Sequence, residues 1–288
     1  MEKTWSWAIV ASAARFDVDR VIEACRASGV RALEYGVGGA DGLREQELVE
    51  LRNRYAEAGI VINSFHLPFA GDDDIASFYE SQRRGAVRRM ARWIEVAGHL
   101  GARVVIQHPT TNRWPAEENG LDRYFEQLHK SIEELLPAAR AAGVIIGLEN
   151  MTPGEGGGRF FSKAEHFRRF AQECVDPNVG FIYDTGHALL SEAFGERALD
   201  ILEAMGDRVV GWHLADNAGD RDSHLAPGNG EVDWDGVFRF AARIGFSAPM
   251  TMETPPWGSG PNYSAQTWKR TIERLDALAA RALGKQSA

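Results

Sequence analysis

Along this chain, short unbroken apolar runs alternate with longer stretches in which apolar residues recur every three or four positions. An unbroken run of four to eight apolar residues reads as a strand covered on both faces, and the wider spacing reads as amphipathic helix. RRGAVRRMARWIEVAGHL is the clearest helical stretch. Gly29, Gly59, Gly101, Gly143 and Gly245 each close such a stretch just before the next apolar run. The pattern predicts strands over 7–10, 31–35, 60–64, 103–107, 144–148, 180–183, 209–214 and 249–253. Between them it predicts helices over 18–28, 44–58, 77–100, 121–142, 163–173, 193–205, from 234 onward, and over 264–283.

Strict strand-then-helix alternation implies a parallel sheet. Eight such units in 288 residues fit a closed (β/α)8 TIM barrel, which needs about 250 residues, better than an open doubly wound sheet. No linker or shift of composition marks a second domain, so one barrel domain is expected over 1–288, with a frayed tail at 284–288.

Seven of the runs end on a side chain able to bind a metal or move a proton: Glu34, His66, His108, Glu149, Asp184, His213 and Glu253. Parallel barrels carry their chemistry on the rim at the C-terminal ends of the strands. Glu149, Asp184, His213 and Glu253 end four consecutive predicted strands and so fall side by side. Three carboxylates and an imidazole suit one divalent ion, Mn, Co, Mg or Zn. Without a cation, four such groups converging would be costly to desolvate.

Other candidates lie nearby. His187 follows Asp184 by three positions, and a Gly/Pro-containing loop after the seventh strand offers Asp216, Asp222 and His224. That loop is too long for a mere connector and is expected to serve the site. His99, His129 and His166 fall within helical stretches and read as surface or packing residues.

The net charge of −9 argues against general affinity for nucleic acid or anionic membrane. No apolar run approaches the roughly 20 residues of a membrane span, and MEKTWSW has no signal-peptide pattern. Cys25 and Cys174 lie in predicted helices and read as free core thiols, so a cytoplasmic location is expected. MTPGEGGG lacks the lysine and helix start of a nucleotide loop, which excludes ATP binding there.

The segments H-L-P, Q-H-P, L-E-N, D-T-G-H, H-L-x-D, D-S-H-L-A-P-G-N-G and M-E-T-P occur in that order across nearly the whole chain. Together they resemble the xylose isomerase-like barrel superfamily, which includes ketose 3-epimerases and the DNA-repair enzyme endonuclease IV. Resemblance to the epimerases implies one divalent ion held by Glu149, Asp184, His213 and Glu253, with the two glutamates exchanging a proton on opposite faces of the substrate. Resemblance to endonuclease IV implies three zinc ions on His66, His108, Glu149, Asp184, His187, His213, Asp222, His224 and Glu253; all nine residue types are present. Resemblance to the superfamily as a whole also implies a homo-oligomer, a dimer or tetramer.

The loops favour the sugar branch. LPFAGDDDIAS puts three aspartates where a phosphate backbone would pass, GVGGADG has no arginine, and the second strand ends on Glu34 as in sugar isomerases. A small carbohydrate or polyol is therefore the expected substrate, with no membrane partner and no nucleic acid. The cation would stabilise an enediolate while Glu149 and Glu253 act as acid and base. His66, His108, His187, Asp222 and His224 are expected to bind substrate or further ions, and Glu34, Trp114 and Trp257 to contact substrate. Trp7 and Trp212 read rather as wall residues, and Arg113 and Arg159 as contacts for an anionic group if the substrate carries one. An apurinic-site endonuclease and a sugar-acid or cyclitol dehydratase are the alternatives.

Overall fold

A computed structural model describes residues 5–11, 18–254 and 265–284. Trp257 and the 285–288 tail lie outside the described residues. Eight strands, β1 Trp7–Val10, β2 Ala32–Gly36, β3 Val61–His66, β4 Val104–Gln107, β5 Ile145–Glu149, β6 Val179–Asp184, β7 Val209–Leu214 and β8 Met250–Met252, close into a barrel in chain order. Every neighbouring pair is parallel, including β1 with β8. The helices are α1 Val18–Ser28, α2 Val37–Ala40, α3 Glu45–Glu57, α4 Glu80–His99, α5 Ala116–Asn119, α6 Leu121–Ala142, α7 Ala164–Glu173, α8 Thr185–Leu190, α9 Ala198–Met205, α10 Trp234–Arg243 and α11 Ala265–Ala282. The chain is thus a (β/α)8 TIM barrel.

Side chains alternate across a strand with a period of two, so a residue at a strand end shares its face with the residue two positions earlier. Gly147 precedes Glu149, Ile182 precedes Asp184, Gly211 precedes His213 and Ile106 precedes His108. Val104, Ile106 and Ile182 pack together as a small apolar cluster of their own. Ile182 fills the space that two glycines leave: a Cβ on Gly147 would meet its Cδ1 at 2.5 Å, and one on Gly211 at 2.7 Å. The candidate groups therefore stand on an apolar plug. The opposite strand face packs under the helices, where Trp212 is buried edge-on against Tyr183, Phe240 and Phe246. Trp212 is a wall residue.

Three local departures from the pattern matter. Of the helix expected over 193–205 only α9 forms, from Ala198, after a 3-10 turn at Ser191–Phe194 and Gly195, whose φ is 82°, and a separate helix that was not expected, α8, precedes them. α8 starts directly after β6 because the Asp184 carboxylate caps it, accepting from the His187 backbone N–H at 2.7 Å. The stretch GVGGADG opens with α2 instead of running as a loop. Cys174 caps the C-terminal end of α7 and is half-buried, whereas Cys25 is buried within α1; both are free. Among the described residues, no helix is long and apolar enough to cross a membrane.

Candidate functional site

Glu149 at the end of β5, Asp184 at the end of β6, His213 in β7 and Glu253 just after β8 meet at one point of the rim. Each offers a ligand atom, and these atoms lie within 4.8 Å of one another. His213 Nδ1 is 2.9 Å from Glu149 Oε1, 3.1 Å from Glu253 Oε2 and 3.9 Å from Asp184 Oδ2. Glu149, Asp184 and His213 are all buried.

The electrostatics show what this concentration of charge costs. Burial, with the charges of Glu253 and Glu149, pushes Asp184 up to about 7 against the pull of His187 and His213. Burial disfavours a charged His213, but Glu253, Glu34 and Glu149 outweigh it and hold the imidazole well above its ordinary range. Asp184 Oδ2 is buried and, among the described residues, has no hydrogen-bond partner, while the buried Glu149 Oε2 is faced by the His108 and His66 imidazoles. An orphaned Asp184 oxygen beside two buried or half-buried glutamates and an imidazole fits a divalent cation, which would remove the penalty that drives Asp184 upward.

Two further groups flank this one. His108 Nε2 is 3.0 Å and His66 Nε2 3.8 Å from Glu149 Oε2. On the other side, His187 Nε2 and His224 Nε2 each lie 3.3 Å from Asp222 Oδ2. Three of these rings are turned the same way. The Nδ1 atoms of His66, His187 and His224 contact the carbonyl oxygens of Leu67, Asn150 and Glu253 at 2.8, 2.8 and 2.9 Å. A carbonyl only accepts, so each Nδ1 carries the proton and each Nε2 aims at a carboxylate. For His187 and His224, 3.3 Å from Asp222, that contact requires either a second proton or a cation, and carbonyl-anchored imidazoles are the usual setting for metal ligands. His224 also holds a left-handed backbone at φ 46°, the kind of strain that collects at functional sites. Burial pushes His108 down to about 4, which keeps its ring neutral despite Glu149.

All nine candidate ligands therefore converge. Asp216 does not: its carboxylate takes the backbone N–H groups of Gly228 at 2.8 Å and Val232 at 3.1 Å and the Trp234 indole at 3.0 Å, folding the loop that carries Asp222 and His224. Glu34 is buried, and its carboxylate meets His213 Nε2 at 3.1 Å, Ser64 Oγ at 2.9 Å and Thr251 Oγ1 at 3.3 Å. It lines the cavity, but its charge is directed at His213 rather than offered to a ligand. Trp114 is 56% exposed and stands outside the cavity lining.

The cavity above the rim is about 700 Å³. Phe69, absent from the sequence-based candidates, lines it, stacks 4.5 Å from the His108 ring and lies tilted 4.9 Å from the His66 ring. Its signal was its place directly after H-L-P, where an exposed aromatic follows a rim histidine. The aspartate run also reads differently in three dimensions. Asp73 pairs with Arg89 at 2.8 Å, and Asp74 is buried, accepting from Ala76 N and Thr110 Oγ1. Much of the negative charge expected to repel a phosphate backbone is thus already neutralised or withdrawn. His129 pairs with Glu173 at 2.7 Å and His99 lies 3.7 Å from Glu45, as helix-surface residues should; His166 is fully buried.

The uncharacterized protein y4fM of Sinorhizobium fredii is 29% identical to this chain over 233 residues, covering 74% of this chain and 72% of that protein. A probable endonuclease 4 of Thermotoga maritima is 25% identical over 246 residues, covering 79% of this chain and 77% of the relative. The crystal structure of a D-tagatose 3-epimerase-like protein superposes with a TM-score of 0.77 at 22% identity, over 96% of this chain and 99% of that one. The model of the xylose isomerase-like TIM barrel family matches residues 22–278, and this chain belongs to that family.

Proposed function

We propose that this chain is a divalent-cation-dependent isomerase or epimerase of a sugar or polyol. One observation carries the reading: Glu149 and Glu253 approach the same His213 Nδ1, at 2.9 and 3.1 Å, from the ends of β5 and β8, three strands apart on the rim. Glu149, Asp184, His213 and Glu253 would hold the cation, and Mn, Co, Mg or Zn all suit three carboxylates and an imidazole. Bound there, it supplies Lewis-acid stabilisation to the charge that builds on a carbonyl oxygen when the adjacent carbon loses a proton.

The chain's own groups do the rest. One glutamate takes the proton from the carbon beside the carbonyl. The other returns a proton, to the opposite face of that carbon for epimerisation or to its neighbour for isomerisation. His187, fixed by Asn150 O, presents Nε2 to the cavity and hydrogen-bonds a substrate oxygen. Phe69 offers an apolar face to the C–H side of the sugar. Names of the family's structural neighbours, among them an L-ribulose 3-epimerase, support the substrate class. Incubation of metal-loaded protein with a panel of ketoses in D2O tests the reading: deuterium should appear next to the carbonyl. No exchange with any ketose, free or phosphorylated, rejects it.

The His187–Asp222–His224 group favours a second reading, an apurinic-site endonuclease with three zinc ions. It places a third ligand set beside the other two, and the Thermotoga relative is named a probable endonuclease 4. Nicking of a duplex at an abasic site, lost in Glu149→Gln, with three zinc ions per chain, would establish it.

A further inference from the structure

The cavity wall contains a buried cation that the proton-transfer chemistry leaves unused. Arg159, in the loop after β5, is 6% exposed and lines the cavity with Arg113. Its guanidinium donates to Asn112 O at 2.7 Å, Thr110 O at 3.0 Å and Thr152 Oγ1 at 3.3 Å. These are neutral acceptors. They tie the loops after β4 and β5 together, but they do not balance a charge.

Arg83 shows how this protein buries an arginine for structure alone. It is 1% exposed and pairs with Glu80 at 2.8 Å and Glu134 at 2.7 Å. Arg159 has no carboxylate within ion-pairing distance among the described residues. Asp74 acts on it only from farther off, and burial together with the charge of Arg113 lowers its pKa to about 10. Arg113 is exposed, and among the described residues its side chain makes no ion pair. Two like charges facing one cavity, one of them buried, would be held apart by any merely structural arrangement.

We propose that Arg159 and Arg113 form a subsite for an oxyanion carried by the substrate, a phosphate monoester or a carboxylate, remote from the carbon that reacts at Glu149 and Glu253. Arginine's planar fork matches both groups, and among the described residues one N–H on each terminal nitrogen of Arg159 has no acceptor. Glu149 also lies within electrostatic reach of Arg159. A single substrate can therefore bridge the two ends of the cavity. Placing the oxyanion on a sugar or polyol rests on the isomerase reading above; the subsite itself rests on the unbalanced charge.

Isothermal titration of inorganic phosphate, and separately of acetate, into the protein as purified tests this directly. At least one anion should bind, and the preferred one identifies the substituent. Arg159→Met should weaken that binding at least about 10-fold, and Arg113→Gln several-fold. Arg159→Lys, which keeps the charge but not the fork, should fall between wild type and Arg159→Met. Arg113 is exposed and ties nothing down, so its variant keeps the test decisive even if Arg159→Met fails to fold. Absence of binding to wild type, or binding unchanged in both Arg113→Gln and Arg159→Lys, overturns the proposal. Deuterium exchange into neutral ketoses is read separately on wild type, so a failed isomerase reading and a failed subsite give different results.

Discussion

His213 Nε2 lies 3.1 Å from both carboxylate oxygens of Glu34, while its Nδ1 faces Glu149 and Glu253. One nitrogen is thus reserved for the candidate cation site, and the other is held by a buried carboxylate that is itself fixed by Ser64 and Thr251. Carboxylate–histidine pairs of this kind set the ring's tautomer and orientation and raise its basicity toward a metal. Glu34→Gln, which keeps an acceptor but loses the charge, should bind Mn2+ about 10- to 100-fold more weakly in equilibrium dialysis. Unchanged affinity would remove Glu34 from the positioning role and return it to the substrate contacts.

The two rim glutamates should be separable by their effects. Glu149 reaches toward His108 and His66 as well as the shared quartet, whereas Glu253 belongs to the quartet alone and is partly exposed. Glu149→Gln should therefore depress deuterium exchange and also release more bound metal than Glu253→Gln does. Loss of either proton-transfer group costs about 10²–10⁴-fold in rate. Equal metal content in both variants, measured by elemental analysis, would contradict the bridging position of Glu149.

The strand ends were legible because a covered strand announces itself as an apolar run and a period of two fixes which end residue faces inward. β7 and α6 fall on the boundaries that the pattern predicts. The helix after β6 was not legible, because its start depends on the Asp184 carboxylate finding the His187 N–H, a cap formed by a residue that also belongs to the rim. Residue type and position singled out the nine candidate ligands together with Asp216, and the resemblance to endonuclease IV marked out the nine among them. Sequence could not say which imidazole nitrogen faces inward, since that depends on carbonyls at Leu67, Asn150 and Glu253. The partner of Glu34 was hidden for the same reason, and so was the contrast between Arg83 and Arg159. Partners distant in the chain decide each of these.

The plug beneath the site should be sensitive to a single methyl group. A Cβ at Gly147 would come 2.5 Å from Ile182 Cδ1 and 3.2 Å from Val104 Cγ1. Gly147→Ala should therefore cost about 1–3 kcal/mol through overpacking, as a lower denaturant midpoint. Ile182→Ala alone should also destabilise, by about 2–5 kcal/mol from its cavity. The double variant should lose less than the two single losses combined, because the new methyl enters the space that Ile182 vacates. Additive losses would mean that the contact is relieved by movement elsewhere.

His166 should make the fold acid-sensitive without touching the rim. Its Nδ1 accepts from the Phe161 backbone N–H at 3.1 Å, so Nε2 carries the proton, buried and, among the described residues, without a hydrogen-bond partner. Burial pushes its pKa down to about 4, although Glu117 pulls the other way. A free histidine in the unfolded chain titrates near about 6.5, so between pH 6.5 and 4 the unfolded state binds more protons. Stability from this residue is therefore complete above about pH 6.5 and lost as pH falls toward 4, by roughly 3 kcal/mol in all. His166→Asn keeps an acceptor for the Phe161 N–H but cannot titrate. Its urea midpoint should fall less than that of wild type between pH 7 and pH 5; parallel losses in the two proteins would show that His166 is protonated in the folded state without penalty.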